Sequence, residues 1–230
     1  MSFDILAPHY RWMEWVLAGE KLQRCRTEFL GDIPAPRNIL LLGEGPGRGL
    51  VECCRRFGRA RITCVDGSPR MLTQARRQLQ RDGLSADSVT FVRADALSWT
   101  PAGEAYDLIC TNFFLDCFRP DQLARLVSQI ARAATPEANW LIADFQVPAR
   151  GLRRLRGRLI VALMYGFFRG LTGLTAKQLT APSPYLIRAG FNLRRRSESE
   201  WGLLQSDWWC LGYQSPLTLS VDAVTTDILP

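Results

Sequence analysis

Glycines alternate with other residues at Gly43, Gly45, Gly47 and Gly49, directly after the apolar run Asn38-Ile-Leu-Leu-Leu42. A second run, Ile62-Thr-Cys-Val-Asp66, ends in an acid nineteen positions after Gly47. A bend without side chains lets backbone amides approach a ligand closely, and a carboxylate at the tip of the neighbouring strand can accept both hydroxyls of a ribose. Together these residues describe a nucleoside site. A dinucleotide pyrophosphate asks for G-x-G-x-x-G, with the third glycine opening a helix. Counted from Gly43 and Gly45 the third position is Arg48, and from Gly45 and Gly47 it is Leu50. Neither register fits, which counts against a nicotinamide oxidoreductase.

The elements that must position these residues follow from periodicity. Residues 37 to 144 alternate strand and helix signals, with strands expected over residues 39–42, 62–65, 89–92, 106–110 and 140–143. Each is short, largely apolar and bounded by turn residues. Ser68 as N-cap, Pro69 at the first position and Gly83 as the stop predict a helix with Met71, Leu72, Ala75 and Leu79 on one face. A further helix starts near Pro120 and Asp121, with Leu123, Leu126, Val127 and Ile130 at helical spacing. Strands alternating with helices imply an α/β fold with a parallel sheet and a ligand beyond the carboxyl ends of its strands.

The chain reads as one domain over residues 1–230. An N-terminal helical cover spans 1–36, a cofactor-binding core 37–144, a helical substrate-side insertion 145–190, and closing strands 191–230. A length of 230 residues and 47% hydrophobic content suit one core of this size. The formal charge of +7 is carried almost wholly by arginine without repeated basic and aromatic clusters, so no nucleic-acid partner is expected. Seven cysteines without a C-x-x-C pair suit reduced thiols in a cytoplasmic protein, and a single histidine leaves no metal site to expect. No secretory leader is expected, and the apolar stretch from Leu159 to Phe168 is too short to span a bilayer. The arginine run from Arg150 to Arg158 beside that stretch has the make-up of a peripheral membrane contact, and equally of a solvated helix face.

Four segments in order, Leu40-Leu-Leu-Gly-Glu-Gly-Pro-Gly47, Val65-Asp-Gly-Ser-Pro-Arg-Met-Leu72, Val89-Thr-Phe-Val-Arg-Ala-Asp-Ala96 and Tyr106-Asp-Leu-Ile-Cys-Thr-Asn-Phe-Phe-Leu115, cover about half the chain. They resemble class I S-adenosylmethionine (SAM)-dependent methyltransferases, and more loosely the ubiquinone/menaquinone C-methyltransferases. The resemblance implies a Rossmann-like three-layer sandwich, its seven-stranded sheet ordered 3-2-1-4-5-7-6 with the last strand antiparallel. It implies S-adenosyl-L-methionine as cofactor and S-adenosyl-L-homocysteine as product. Carried over by position, Gly43, Gly45 and Gly47 wrap the methionine moiety, and Asp66, with Gly67 beside it, holds the ribose. Ser68 and Met71 border the adenosine, Asp95 accepts from the adenine amino group next to Ala96, Thr111 and Asn112 line the floor, and Tyr10 closes over the amino-acid end. The family commonly has an acid two residues before the first glycine, where this chain has Leu41. Glu44 substitutes for it if the loop turns its carboxylate inward, and is otherwise a solvated loop residue.

Displacement at a sulfonium needs positioning above all, with a general base only where the nucleophile must lose a proton. His9 is one candidate base, with an ordinary pKa near 6.5. Asp116 is the other, at a place where many relatives carry histidine; Phe113, Asp116, Asp144 and Tyr165 are expected to meet the acceptor. The surrounding aromatics suggest a small hydrophobic or aromatic molecule. The alternative is a catalytically silent protein of the same fold that senses the cofactor without consuming it.

Overall fold

The computed structural model describes residues 20–101, 106–148, 150–172 and 179–212, with the backbone alone for Met164, Tyr165 and residues 167–172. Strands β1 (Asn38–Leu42), β2 (Arg61–Asp66), β3 (Val89–Arg93), β4 (Tyr106–Asn112), β5 (Ala134–Phe145), β6 (Phe191–Ser199) and β7 (Leu204–Leu211) form one sheet. Its order is β3-β2-β1-β4-β5-β7-β6. The first five strands are parallel, while β7 runs antiparallel to both β5 and β6. This is the Rossmann-like arrangement that the four segments imply.

Helices cover both faces, so the buried middle positions of the central strands, residues 39–42 of β1 and 108–110 of β4, are all apolar. In β1, Ile39 and Leu41 pack with one core and Leu40 and Leu42 with the other, as the period of two requires. The first core is completed by helices α2 (Arg48–Arg56) and α3 (Pro69–Arg81), through Leu50, Leu72, Ala75 and Leu79. Helix α4 (Pro120–Ala133) completes the second through Leu123, Leu126, Val127 and Ile130. The Ser68 side chain accepts from the Met71 amide at 3.1 Å, which starts α3 where the N-cap signal predicts.

Helix α1 (Glu20–Thr27) lies across the other end of the sheet, where Leu22 and Cys25 pack with Ala143 and Leu204. The Ser206 hydroxyl donates to the Cys25 carbonyl at 2.8 Å and ties α1 to β7. Residues 3–19 of the expected cover lie outside the described residues. Two helices, α5 (Gly151–Thr172) and α6 (Ser183–Arg188), occupy the segment between β5 and β6. The last hairpin is locked by Arg196, which donates twice to the buried Asp207 carboxylate at 2.7 Å. That bidentate pair has the geometry in which a buried charge is satisfied.

Candidate active site

Between β1 and α2 the chain bends through three glycines with positive φ, +64° at Gly43, +64° at Gly45 and +92° at Gly47. Their surroundings differ. A side chain at Gly43 would collide with the Phe114 ring, and one at Gly47 would place its Cβ 2.7 Å from the Ala75 Cα. Beside Gly45 nothing lies within 4 Å. The outer two glycines therefore let the bend pack tightly, while the middle one faces open space that a ligand can enter.

Asp66 at the tip of β2 is fixed by the same bend. Its carboxylate accepts from the Gly45 amide at 3.0 Å with one oxygen and from the Ser68 amide at 2.8 Å with the other, and these two amides set its orientation. Gly67 beside it is exposed, while Met71 is buried at the start of α3. On the adjacent loop after β3, Asp95 is exposed and its carboxylate accepts from the Leu97 amide at 3.0 Å, while Ala96 packs beneath with Leu42 and Val65. The Ala94 amide donates to the Asp66 carbonyl at 3.2 Å, so this loop is tied to β2.

Glu44 is buried, and one carboxylate oxygen accepts from the amides of Gly49 and Leu50 at 2.5 and 2.9 Å. These are orphan donors of the first turn of α2, whose N-cap, Gly47, has no side chain to offer them. Glu44 thus caps the helix from three residues upstream, turned inward and onto the helix end. A Cβ at Gly49 would sit 2.8 Å from the Glu44 carboxylate and 3.0 Å from the Asn112 amide nitrogen, so these two side chains meet over Gly49. A helix N-terminus is the usual seat of a pyrophosphate. Here it already holds a carboxylate, which repels a second anion and favours a cation alongside. The charge at this helix end suits a sulfonium better than a pyrophosphate.

The carboxyl ends of β4 and β5 form the other half of the site. Thr111 is fully buried and its hydroxyl accepts from the Trp140 indole at 3.0 Å, so its side chain braces the sheet. Phe113 follows in a left-handed conformation, φ +52°, with its amide donating to the Ala143 carbonyl at 2.6 Å. Such a backbone costs a bulky residue about 1–3 kcal/mol and marks strained sites. Its ring lies 5.1 Å from that of Phe145, and the Arg26 guanidinium of α1 stands 5.0 Å over it. Asp116 sits in the 3-10 turn Leu115–Cys117, buried, with the Cys117 thiol donating to it at 3.4 Å. Burial pushes the Asp116 carboxyl up to about 6. Asp144, near the end of β5, is 6% exposed and both of its oxygens lack a hydrogen-bond partner among the described residues. Burial, and then the negative charge of Asp116, push it well above the usual carboxylate range. The amides of Phe114 and Asp116 favour its charged form without closing a hydrogen bond of normal geometry. Both carboxyls are thus buried, and the charge of Asp116 disfavours ionisation of Asp144.

His9 and Tyr10 lie outside the described residues, and of Tyr165 only the backbone is described. Glu44, Gly45, Asp66, Asn112, Phe113, Asp116 and Asp144 all lie at the carboxyl ends of the parallel strands or in the loops that follow them. Sequence reasoning missed Arg26 and Cys117, whose helix and turn carry no motif. It also missed the role of Glu44 as a cap, although a glycine N-cap after an upstream acid is a visible signal.

Residues 39–137 match the family model described as a methyltransferase domain. The chain is 38% identical over 145 residues to trans-aconitate 2-methyltransferase of Methylobacterium radiotolerans, covering 52% of this chain and 53% of that protein. It is 29% identical over 171 residues to demethylmenaquinone methyltransferase of Thermus thermophilus, covering 74% and 76%. A trans-aconitate 2-methyltransferase of Streptomyces coelicolor is 45% identical over 82 residues, 26% of its length. The chain thus spans between a quarter and about half of these trans-aconitate relatives. Among solved structures, the mitomycin 7-O-methyltransferase MmcR shares the fold with a TM-score of 0.67 and 21% identity, over 92% of this chain and 61% of that one. The N-methyltransferase NodS of Bradyrhizobium japonicum, solved with S-adenosyl-L-homocysteine, shares it with a TM-score of 0.59 and 15% identity, over 84% and 85%. The stretch that is similar to a methyltransferase domain, residues 39–137, runs through the very strands and bend that shape this crevice.

Proposed function

We propose that the chain methylates a small apolar or aromatic molecule through a hydroxyl or amine that donates a hydrogen bond. The observation that carries this reading is Asp144, a buried carboxyl at the end of β5 whose two oxygens have no hydrogen-bond partner of normal geometry among the described residues. A buried polar group left without a partner is costly, and an incoming donor relieves that cost. Phe113 and Phe145 beside it offer ring faces to an aromatic acceptor.

Bound SAM supplies a methyl group on a sulfonium, which is displaced in line and leaves a neutral thioether. The chain's own residues hold and strip the acceptor. Asp116 is poised to take the acceptor proton near neutral pH, since burial sets its affinity close to that range. Asp144 orients the same hydroxyl or amine, and α1 shields the floor from water. His9 is the second proposed base and Tyr10 the proposed cover. Tyr165 is assigned to the acceptor, while Gly43, Gly45, Gly47, Asp66, Gly67, Ser68, Met71, Asp95, Ala96, Thr111 and Asn112 are assigned to the cofactor. Free cysteines, six of the seven buried, support a cytoplasmic setting.

The acceptor class departs from that of the trans-aconitate relatives. A tricarboxylate brought against ionised Asp116 meets like charge, whereas a phenol, hydroquinone or amine supplies a donor. Formation of S-adenosyl-L-homocysteine with panels of phenols, hydroquinones, amines and carboxylates tests this. Turnover should appear with the donors and not with trans-aconitate. A preference for carboxylates would refute the acceptor assignment, and no turnover despite SAM binding would favour a silent sensor.

A further inference from the structure

Helix α5 presents two unlike faces. Inward, Ile160 and Val161 pack with Cys117, Phe145 and Leu203, closing over the ends of β4 and β5. Outward, Leu152, Leu155, Leu159 and Leu163 are 86%, 68%, 61% and 66% exposed. At about 100° per residue these four fall within an arc of about 80°, roughly opposite Gly157 and Val161. Exposed leucines scattered singly need no explanation, but a continuous stripe of four along one helix does.

The charge on the helix itself is of one sign. Arg150, Arg153, Arg154, Arg156 and Arg158 surround its first half, and Gly151–Thr172 contains no acid. Trp201, itself 69% exposed in a left-handed turn, lies beside the helix with the Arg153 and Arg156 guanidinium groups 5.9 and 5.8 Å from its ring. A leucine stripe flanked by arginines and an exposed indole is the composition of a helix lying in a lipid interface. A second copy of this chain fits poorly, because an isologous contact sets the same arginine-rich helix against itself. No helix among the described residues is long and apolar enough to cross a membrane, so the contact is with one surface.

We infer that the outer face of α5, with Trp201 at its edge, docks on the surface of an anionic lipid bilayer. The leucines enter the acyl boundary and the arginines meet the headgroups. The lipid contact stands apart from the methyl-transfer reading and is tested without turnover. If that reading also holds, the docked helix is the same one that roofs the acceptor end of the crevice.

Co-sedimentation of the full chain with vesicles of equal parts phosphatidylserine and phosphatidylcholine, against phosphatidylcholine alone, tests the proposal. Binding should favour the anionic vesicles and weaken with salt. Arg154→Ala/Arg158→Ala should weaken it by roughly 30-fold, from about 1 kcal/mol per arginine near the surface. Leu155→Asp/Leu159→Asp should abolish it while leaving the SAM-induced melting shift intact, which shows that the variant is folded and its cofactor crevice sound. Equal binding to both vesicles, no binding to either, or unchanged binding by the leucine variant overturns the proposal. So does sedimentation velocity showing a dimer that the leucine variant dissolves in the absence of lipid.

Discussion

Replacing Asp116 by asparagine removes a charge that the fold holds in an unfavourable place. Its carboxyl is pushed from 3.8 to about 6, chiefly by burial. That is about two units, each worth about 1.4 kcal/mol, so the ionised group destabilises the native state by about 3 kcal/mol. The sign follows from proton binding: the native carboxyl holds its proton more tightly than the unfolded one. Stability therefore falls as pH rises from about 4 to about 6 and stays low above that. Below about 4 both states are protonated and the penalty vanishes. Asparagine keeps an acceptor for the Cys117 thiol but adds donors that need partners, a cost of about 1 kcal/mol. The net gain near neutral pH is about 2 kcal/mol, or about 4–8 °C in melting temperature for a chain of this length. Thermal melts without cofactor, at a series of pH values from about 4 to 8, read the difference between Asp116→Asn and the parent. It should favour the variant increasingly as pH rises and reverse below about 4, where only the cost of the added donors, about 1 kcal/mol, remains. A difference that does not change with pH, or a variant less stable at neutral pH, would show that Asp116 is not held as a high-affinity acid. The same variant should lose about 10²–10⁴-fold in turnover if Asp116 is the base.

Asp66→Ala should weaken SAM by roughly a hundredfold, since hydrogen bonds to a charged group are worth about 1.5–3 kcal/mol; calorimetry showing unchanged affinity removes the ribose assignment. Gly45→Val forces a β-branched residue into φ +64° and fills the open space beside the bend. SAM binding should disappear from calorimetric titrations while a folded, cooperative melt remains, and a variant that still binds tightly would show that the ligand does not pass Gly45. Glu44→Gln should lower the melting temperature by about 2–4 °C, the loss of a charged helix cap worth about 1 kcal/mol. An unchanged melt would mean that the cap is idle. Asp144→Asn should raise the KM for a phenolic acceptor with little change in SAM affinity, and a selective loss of SAM instead would place Asp144 on the other side of the crevice.

The parallel half of the sheet was legible because the middle positions of β1, β2 and β4, such as residues 39–42, Ile62, Val65 and residues 108–110, are buried between helices and are apolar. Helix α3 announced itself through Ser68, Pro69 and Gly83. β5 was read short, since its first residues, Thr135, Pro136 and Glu137, are polar or helix-breaking and sit at the start of the strand, where little is buried. β7 begins at Leu204 and not Trp201, because Glu200 and Trp201 both turn left-handed before the strand starts. Of the site, the bend and Asp66 were readable from spacing. The partners of Glu44 were not, because its bonds go to backbone amides, which leave no mark on residue type. Asp144 was flagged only by its place at a strand end; that neither oxygen finds a partner depends on the packing of Phe113, Phe145 and α1 around it.

The contact between Gly47 and Ala75 reaches further than its size suggests. Residue 75 lies inside a helix, on its buried side, and touches no ligand, yet any larger side chain there would press on the turn that carries Gly45 and Glu44. A saturation scan read out by cofactor affinity should therefore single out position 75 as intolerant of everything but alanine and glycine, while Leu79 one turn along tolerates other aliphatics. A residue of this kind governs recognition at a distance simply by being small.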